Sequence, residues 1–522
     1  MNPPEAIHKR FFIPDIAYLL CELVNSDADI RLRTLARLAR TCRIFRDPAL
    51  NFLWSEQDGL VHLIKCFPSD LWTVSGSTYL ILRAITVADW PNFLGYSQRI
   101  KTLVMGSRHE YVSAEAYRAL STAASTTSQV LFPNLTELRW FTFPFPSIEM
   151  YLGPSLSTFC FGPSDTILDL LLLVQSLTTI AIRYPSLKSF TFFYPLRSDS
   201  RHIETLTTAI CSWNQLRTLR VGNHLGEEGF RHIAKLSHLE DLCFTWPSSN
   251  GTLPRPQVDH RWFPALNTLD MACHSLDSCI DMIQLMHASN VSTLKMSVIE
   301  NTTGKQHATS MPFTTTTRWN RLFQMLEDCC VHVTLSFISF ESRDIFSRID
   351  PAVTIESIRH IFVFRHLNHV RIETGGGCDI DDVNMKELAE AWPCLTFLSL
   401  QPGTQFGAEL QPRLTLASLV ILATNCPNLQ FLSLAIDARS VSVAQPESGD
   451  ARIKHTKRLE LAFRNPSPIN NTDGVASFLA TLFPEAVVVG TSLLGGDSWR
   501  SVASKVKIIN KLSVERAGVF HL

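Results

Sequence analysis

The chain has 522 residues, and its 47 Lys and Arg against 48 Asp and Glu leave a net charge of -1. Hydrophobic residues make up 45% and charged residues 18%, a globular balance that excludes an intrinsically disordered chain. With no basic surplus, the composition argues against a nucleic-acid binder and against polybasic attachment to anionic lipid.

At the N-terminus, His8-Lys9-Arg10 and Phe11-Phe12-Ile13 mimic a signal peptide. Pro14, Asp15 and Glu22 interrupt the apolar stretch, so the segment reads as folded protein. Residues 11–58 then show three short helical patterns. In the first, Ile16, Leu19, Leu20, Leu23 and Val24 fall on one helix face, begun by Pro14 with Asp15 in the first turn. The second carries Leu32, Leu35, Leu38, Ala39 and Cys42, with Arg31, Arg33, Arg37 and Arg40 opposite. The third is expected to begin at Pro48 and carries Leu50, Leu53 and Trp54. Below about 60 residues such a core is marginal alone, so the module is expected to pack on a neighbour or a partner. Residues 59–96 are expected as a helical linker or cap.

From residue 97 to about 490 a repeat dominates. The pattern L-x-x-L-x-L, with apolar substitutes, recurs eleven times, from Ile100-Leu103-Met105 and Leu135-Leu138-Trp140 to Leu395-Leu398-Leu400 and Leu429-Leu432-Leu434. First positions lie 21 to 35 residues apart, except for one step of 76 between Val291 and Leu367, which must hide one or two degraded units. Val333-Leu335-Phe337 is the candidate strand in that gap, and Leu459 with Leu461 marks a further unit. Positions +3 and +5 share one face of a strand, and position 0 turns inward before it. One unit cannot bury its own apolar face; stacked units can, because each covers its neighbour. The count predicts about 12 or 13 strands, spanning roughly 60 Å at ~4.8 Å per strand. Six copies have a proline two residues before position 0 (Pro133, Pro154, Pro185, Pro264, Pro393, Pro427), where it ends the preceding helix. Helices are expected over Gly226 to Leu236, around Ile203-Leu206-Ile210, and around Leu416-Leu419-Leu422. The rival reading is a generic protein of alternating strands and helices.

The repeats resemble leucine-rich repeats of the ribonuclease-inhibitor-like class. That resemblance implies an α/β fold: a right-handed solenoid with a parallel concave sheet over residues 97–490 and a C-terminal cap over 491–522. Polar or Thr-rich loops are expected at 247–259, 301–318 and 438–456. On the concave face, positions +2, +4 and +6 present Glu137, Arg139, Phe141, Arg220, Asp241, Asp270, Lys295, His369, Arg371 and Glu373. Mixed charge with aromatics suits a protein ligand, and the arginines suit phosphate, although a merely solvated sheet face is the plainer alternative.

The N-terminal module resembles an F-box. The match rests on Ile13-Pro14-x-Ile16, Leu20, the run from Leu38 to Pro48, and Trp54. It departs from the family in having Ile before Pro14 and Asp15 where Glu is usual. The runs Leu35 to Trp54, Leu60 to Trp72 and Asp89-Trp90-x-x-Phe93-x-x-Tyr96-x-x-Arg99-Ile100 are similar to F-box proteins of mushroom-forming fungi. A helical cap sealing the repeat stack is the alternative, and the two are compatible. The resemblance implies a substrate receptor of an SCF-type cullin-RING ubiquitin ligase. The F-box would bind the S-phase-kinase-associated adaptor, and through it a cullin, while the repeats hold the protein to be ubiquitinated. By motif position the adaptor contacts would be Ile13, Pro14, Ile16, Leu20, Leu38, Cys42 and Pro48, some of them also forming the module's own core. The alternative function is a leucine-rich-repeat scaffold that recruits no ligase.

No Walker A, GxGxxG or HExxH pattern occurs, and Gly490 to Gly495 misses the G-x-S-x-G elbow by one residue. Gly375-Gly376-Gly377 before Asp379, Asp381 and Asp382 reads as a loop capping a helix rather than a cation or phosphate site. His366 and His369 read as surface residues at a strand edge. Neither enzymatic activity nor a metal or cofactor is therefore expected. Apolar stretches such as residues 170–174 are far shorter than the ~20 residues of a membrane span. Thirteen cysteines without a CxxC pair, several of them in strand-like patterns, suit buried thiols in a reducing compartment, hence cytosol or nucleus.

Overall fold

The computed structural model describes residues 13–27, 30–106, 111–127, 130–141, 148–162, 170–193, 200–246, 262–286, 290–299, 315–342, 353–374, 377–402, 412–441, 455, 457–463, 467–490 and 497–519. The chain is α/β. Among the described residues, sixteen α-helices accompany a parallel sheet of 15 strands whose order in the sheet is their order in the chain. Two compact units divide it, residues 1–229 and 230–522.

In the first unit, three helices open the chain: α1 (Pro14–Asn25), α2 (Arg31–Leu38) and α3 (Arg43–Ser55). Six sheet strands follow: β1 (Glu56–Asp58), β2 (Thr102–Met105), β3 (Glu137–Trp140), β4 (Thr158–Phe161), β5 (Ser189–Phe192) and β6 (Thr218–His224). Residues 59–96 are not all helical as expected, because Trp72–Ser75 and Thr78–Ile81 form an antiparallel hairpin around Gly76. Gly76 sits at φ +63°, which a glycine adopts without strain.

The second unit supplies nine strands: β7 (Asp241–Thr245), β8 (Thr268–Cys273), β9 (Thr293–Val298), β10 (Phe337–Ser342), β11 (His369–Thr374), β12 (Phe397–Pro402), β13 (Phe431–Leu434), β14 (Leu459–Phe463) and β15 (Ala486–Gly490). The expected helices are present as Ser200–Cys211, Glu227–Ala234 and Leu416–Asn425.

The repeat register is the pairing register. In the first unit Leu103, Leu138, Phe159, Phe190 and Leu219 stand opposite one another. In the second, Leu242, Leu269, Leu294, Ile338, Val370, Leu398, Leu432 and Leu461 do the same. All of these are fully buried, and so are the position-0 residues such as Leu135, Leu216 and Leu395. Two corrections follow. Among the described residues, the wide step contributes a single strand to this sheet, but it begins at Phe337, with Leu335 as position 0 and Ile338 and Phe340 inside; Val333 is 69% exposed. The sheet also exceeds the expected 12 or 13 strands because β1 and β15 cap its ends, and neither belongs to a full L-x-x-L-x-L copy.

Polar residues before the strands help to hold neighbouring units together. The carbonyl at position +1 accepts two backbone N–H groups from the next unit; Asn368 O, for instance, accepts from Thr396 N at 2.8 Å and Phe397 N at 3.0 Å. The Thr396 hydroxyl donates to the same oxygen at 2.9 Å, and Thr136 and Ser336 repeat the arrangement. Among the described residues, no helix is long and apolar enough to cross a membrane.

The expected loops fare differently. Residues 247–259 lie outside the described residues, as do 300–314. Residues 315–318, however, expected as part of a flexible excursion, are the first turn of the helix Thr315–Cys329. Of 438–456, Ala438 pairs with Ile469, and 442–454 lie outside. The C-terminal segment contains the helix Asp497–Val519.

Because each inward leucine is covered by its neighbours, Leu269→Ala should cost about 2–5 kcal/mol, against less than about 0.5 kcal/mol for the exposed Val383→Ala. Urea unfolding followed by circular dichroism will check the difference.

Candidate interaction surfaces

The N-terminal module buries little of its own. Its core is Cys21, Leu35 and Ala49, with Val24, Leu38, Ala39, Phe45, Phe52 and Leu53 packed around them. The helix α1 starts as the sequence requires, with extended backbone at Ile13 and Pro14 at its first position. Its inward face is not the expected one: Ala17 and Cys21 are buried, while Leu19 and Leu23 are 59% and 68% exposed. The expected apolar stripe is therefore only partly core. In α2 only Leu35 is fully buried, and Leu32 is exposed. The third helix begins at Arg43, five residues before the expected start, because Cys42 supplies the extended residue that ends the preceding turn; Pro48 lies inside the helix.

Of the seven residues assigned to adaptor contact, Ile13 and Pro14 are exposed, whereas Ile16, Leu20, Leu38, Cys42 and Pro48 are half-buried. Apolar residues the motif did not single out are as exposed as Ile13 or more so: Tyr18, Leu19, Leu23, Ile30 and Leu32. Leu19 and Leu23 lie one turn apart on the same face of α1. Their i, i+4 spacing was visible in the sequence, but spacing alone does not say whether a stripe faces inward.

The module is fixed to the rest of its unit at its other end. Trp54 stacks on Tyr96 with ring centroids 4.5 Å apart. The Arg99 guanidinium pairs with the Asp47 carboxylate at 2.8 Å and also bonds Asn51. A cavity of about 690 Å³ lies beside this seam, lined by Tyr18, Phe52, Arg99, Lys101 and several amides and hydroxyls. The Ser55 and Thr136 hydroxyls and the Asn134 amide donate to backbone carbonyls instead of converging on a shared point.

The second surface is the outward face of the sheet. Along β3, β7, β8, β9 and β11 the residues alternate between half-buried and buried, so positions +2 and +4 share the face opposite the core. In the first unit Glu137, Arg139 and Arg220 are half-buried there, and Phe141 is exposed. Arg139 pairs with Glu137 at 2.6 Å. Phe141 lies across Gly162, where an added Cβ would meet its ring at 1.8 Å, so a larger residue there would displace the ring.

In the second unit Asp241, Asp270, Lys295, His369, Arg371 and Glu373 are half-buried on this face. Here the structure adds a feature the charged-residue reading missed. Position +2 of four consecutive strands carries Phe337, His369, Phe397 and Phe431, whose rings stack at 3.8, 3.8 and 4.4 Å with interplanar angles of 11°, 10° and 6°. Lys295 Nζ sits 5.1 Å from the Phe337 ring centre. Beside the stack, Arg371 pairs with Glu341 at 3.0 Å and Glu373 at 2.7 Å, and the Ser399 hydroxyl donates to Glu373. His369 is therefore not a strand-edge residue but an inner rung of an aromatic ladder. Burial, aided by the positive charges of Arg371 and Lys295, lowers its pKa to about 4. His366 is exposed, as expected.

The aspartates after the glycine run have internal partners. Arg413 pairs with Asp379 at 3.1 Å and Asp381 at 3.0 Å. Asp381 caps the helix Asp382–Ala391, and Asp382 accepts from Thr415. Gly375 and Gly376 lie outside the described residues. Among the described residues, no group of three or more His, Cys, Asp or Glu is placed to hold a metal ion. No family model matches the chain, and no curated protein matches it significantly.

Protonation of His369 is easier in the unfolded chain than in the folded one. Stability should thus be unaffected above about pH 6.5, fall as the pH drops from 6.5 to about 4, and level off below that. The loss should be about 1–2 kcal/mol after allowance for partial solvent exposure. His369→Phe keeps the stack and should remove this pH dependence, as read by urea midpoints between pH 4 and 7.5. A wild-type gain on acidification would mean that attraction between the imidazolium and its flanking rings outweighs burial.

Proposed function

We propose that this chain is the substrate-receptor subunit of an SCF-type cullin-RING ubiquitin ligase, with an F-box as its N-terminal module. In this reading, the module docks the S-phase-kinase-associated adaptor, and the outward sheet face holds the target protein. No side chain of the receptor need take part in bond making. Its work is to hold the target near a charged ubiquitin-conjugating enzyme, so that transfer becomes effectively intramolecular.

One observation carries the docking half of the proposal. Ile13, Tyr18, Leu19, Leu23, Ile30 and Leu32, all 44–68% exposed, fall within twenty residues, on a module whose fully buried side chains are Ala17, Cys21, Leu35 and Ala49. Exposed apolar residues so concentrated are what an obligate partner covers. The sheet face supports the other half. Stacked aromatic rings with a lysine and an arginine–glutamate network beside them offer a rigid, partly apolar surface with charged specificity groups, suited to a folded or extended polypeptide.

The aromatic ladder would serve equally a scaffold that recruits no ligase, so adaptor capture is the deciding experiment. The wild-type chain should retain purified adaptor in a pull-down. Leu19→Asp with Leu23→Asp should reduce retention at least about 100-fold, the scale expected on truncating an interface centre, while the circular dichroism spectrum is unchanged because both side chains are exposed. Pro14→Asp with Leu20→Asp should also abolish it. If the folded wild-type chain never retains the adaptor, the receptor reading fails and the scaffold reading stands.

A further inference from the structure

Cys273 is the last residue of β8, and Cys279 lies in the helix Leu276–Leu285 that follows. Both side chains are fully buried, and their sulfur atoms are 3.2 Å apart, within S–H···S hydrogen-bonding distance. Between them Ser275 caps the helix: its hydroxyl accepts from Ser278 N at 3.2 Å and lies 3.0 Å from the Ser278 hydroxyl. The cap fixes the path of the connection and so holds the two thiols together. A buried cysteine on its own is usually an inert apolar filler. Two of them in hydrogen-bond contact need to close only about 1.2 Å to reach the ~2.05 Å of a disulfide bond.

We propose that Cys273 and Cys279 are a dithiol modification site that a small hydroperoxide converts to a disulfide, tying the end of β8 to its following helix. The proposal is independent of the ligase reading. The chemistry has two steps. The Cys273 thiolate attacks the terminal oxygen of the hydroperoxide; an S–O bond forms, the O–O bond breaks, and the departing alkoxide or hydroxide takes a proton, leaving a sulfenic acid. The Cys279 sulfur then attacks that sulfur. The S–S bond forms, the S–O bond breaks, and hydroxide leaves with the Cys279 proton as water. In sum, two thiols and one hydroperoxide give one disulfide, one alcohol (or water) and one water. The order of attack follows the shared hydrogen bond. Either sulfur can donate in this contact; with Cys279 as donor the bond favours the Cys273 thiolate, and giving up its own proton becomes harder for Cys279.

The residues make the test direct. Cleavage after Arg261 and Lys295 yields one peptide, residues 262–295, holding these two cysteines and no other. The native full-length chain is treated with hydrogen peroxide, quenched with N-ethylmaleimide, denatured in the same reagent, digested and weighed. The expected result is loss of both labels and of two hydrogens from this peptide, both restored by dithiothreitol. Two labels on the peptide after denaturation would overturn the proposal, as would bridges from either cysteine to a different one. So would the same yield of bridged peptide from chain oxidised in urea and from the native chain, because the fold would then contribute nothing. Cys279→Ser should leave Cys273 to accumulate as a sulfenic acid trapped by dimedone; dimedone on neither residue would overturn the assigned order. If that variant does not fold, the wild-type peptide map decides alone.

Discussion

Everything in this molecule depends on the fact that one repeat cannot cover its own apolar face. A strand of four to seven residues with inward groups at positions +3 and +5 has no core until another strand lies beside it. The register Leu242, Leu269, Leu294, Ile338, Val370, Leu398, Leu432 shows how strictly that requirement is met in the second unit, since each residue is sealed by the ones before and after it. Backbone pairing alone would tolerate a slip, but a slip of one residue would turn every inward leucine outward. The doubly accepting carbonyl at position +1, often joined by a Ser or Thr hydroxyl, adds a polar lock just where the chain enters each strand. Stability in such an array is close to a sum over units and their interfaces, so damage to one rung is felt chiefly by its neighbours.

The same constraint divides the labour along each strand. Positions +3 and +5 belong to the core and are nearly all Leu, Ile, Val, Phe or Met. Positions +2 and +4 face away from that core, and their composition therefore carries information. Nothing in the core calls for Phe337, His369, Phe397 and Phe431 to stand in one row; they gain from one another, because adjacent parallel strands bring their rings into stacking range. A flat row of this kind stiffens the outer face and leaves the arginine–glutamate network beside it in a defined geometry.

How much was legible in the sequence follows from this division. The repeats, their register and the inward residues could be read because burial forces a period. The expected strand at Val333 was misplaced because the degraded unit has two overlapping apolar alternations, and only pairing with β9 selects Phe337–Ser342. The strands β1 and β15 were missed because a capping strand needs only one covered side and so lacks the full motif. The helix α1 was legible only in part: Ile16, Leu19, Leu20, Leu23 and Val24 form a convincing stripe, of which Ile16, Leu20 and Val24 are half-buried, but Leu19 and Leu23 are exposed and the fully buried residues are the small Ala17 and Cys21. The face charges were found where expected, but the ladder was not, because a search for charge passes over phenylalanines that are periodic only across strands.

The exposure of Leu19 and Leu23 has a physical meaning of its own. Three short helices that meet through Ala17, Cys21, Leu35 and Ala49 approach closely but bury little area, so the module gains modest stability from itself. A sequence that leaves Leu19, Leu23 and Leu32 outside, on helices anchored to the rest of the unit by Trp54 on Tyr96 and Arg99 on Asp47, gives up self-sufficiency and keeps a surface that water penalises until something covers it. The anchor lies on α3 and the exposed leucines on α1, so the element that holds the module to its own chain differs from the one that faces outward. If α1 docks a partner, as proposed, that separation lets the partner cover it without loosening the chain's own packing.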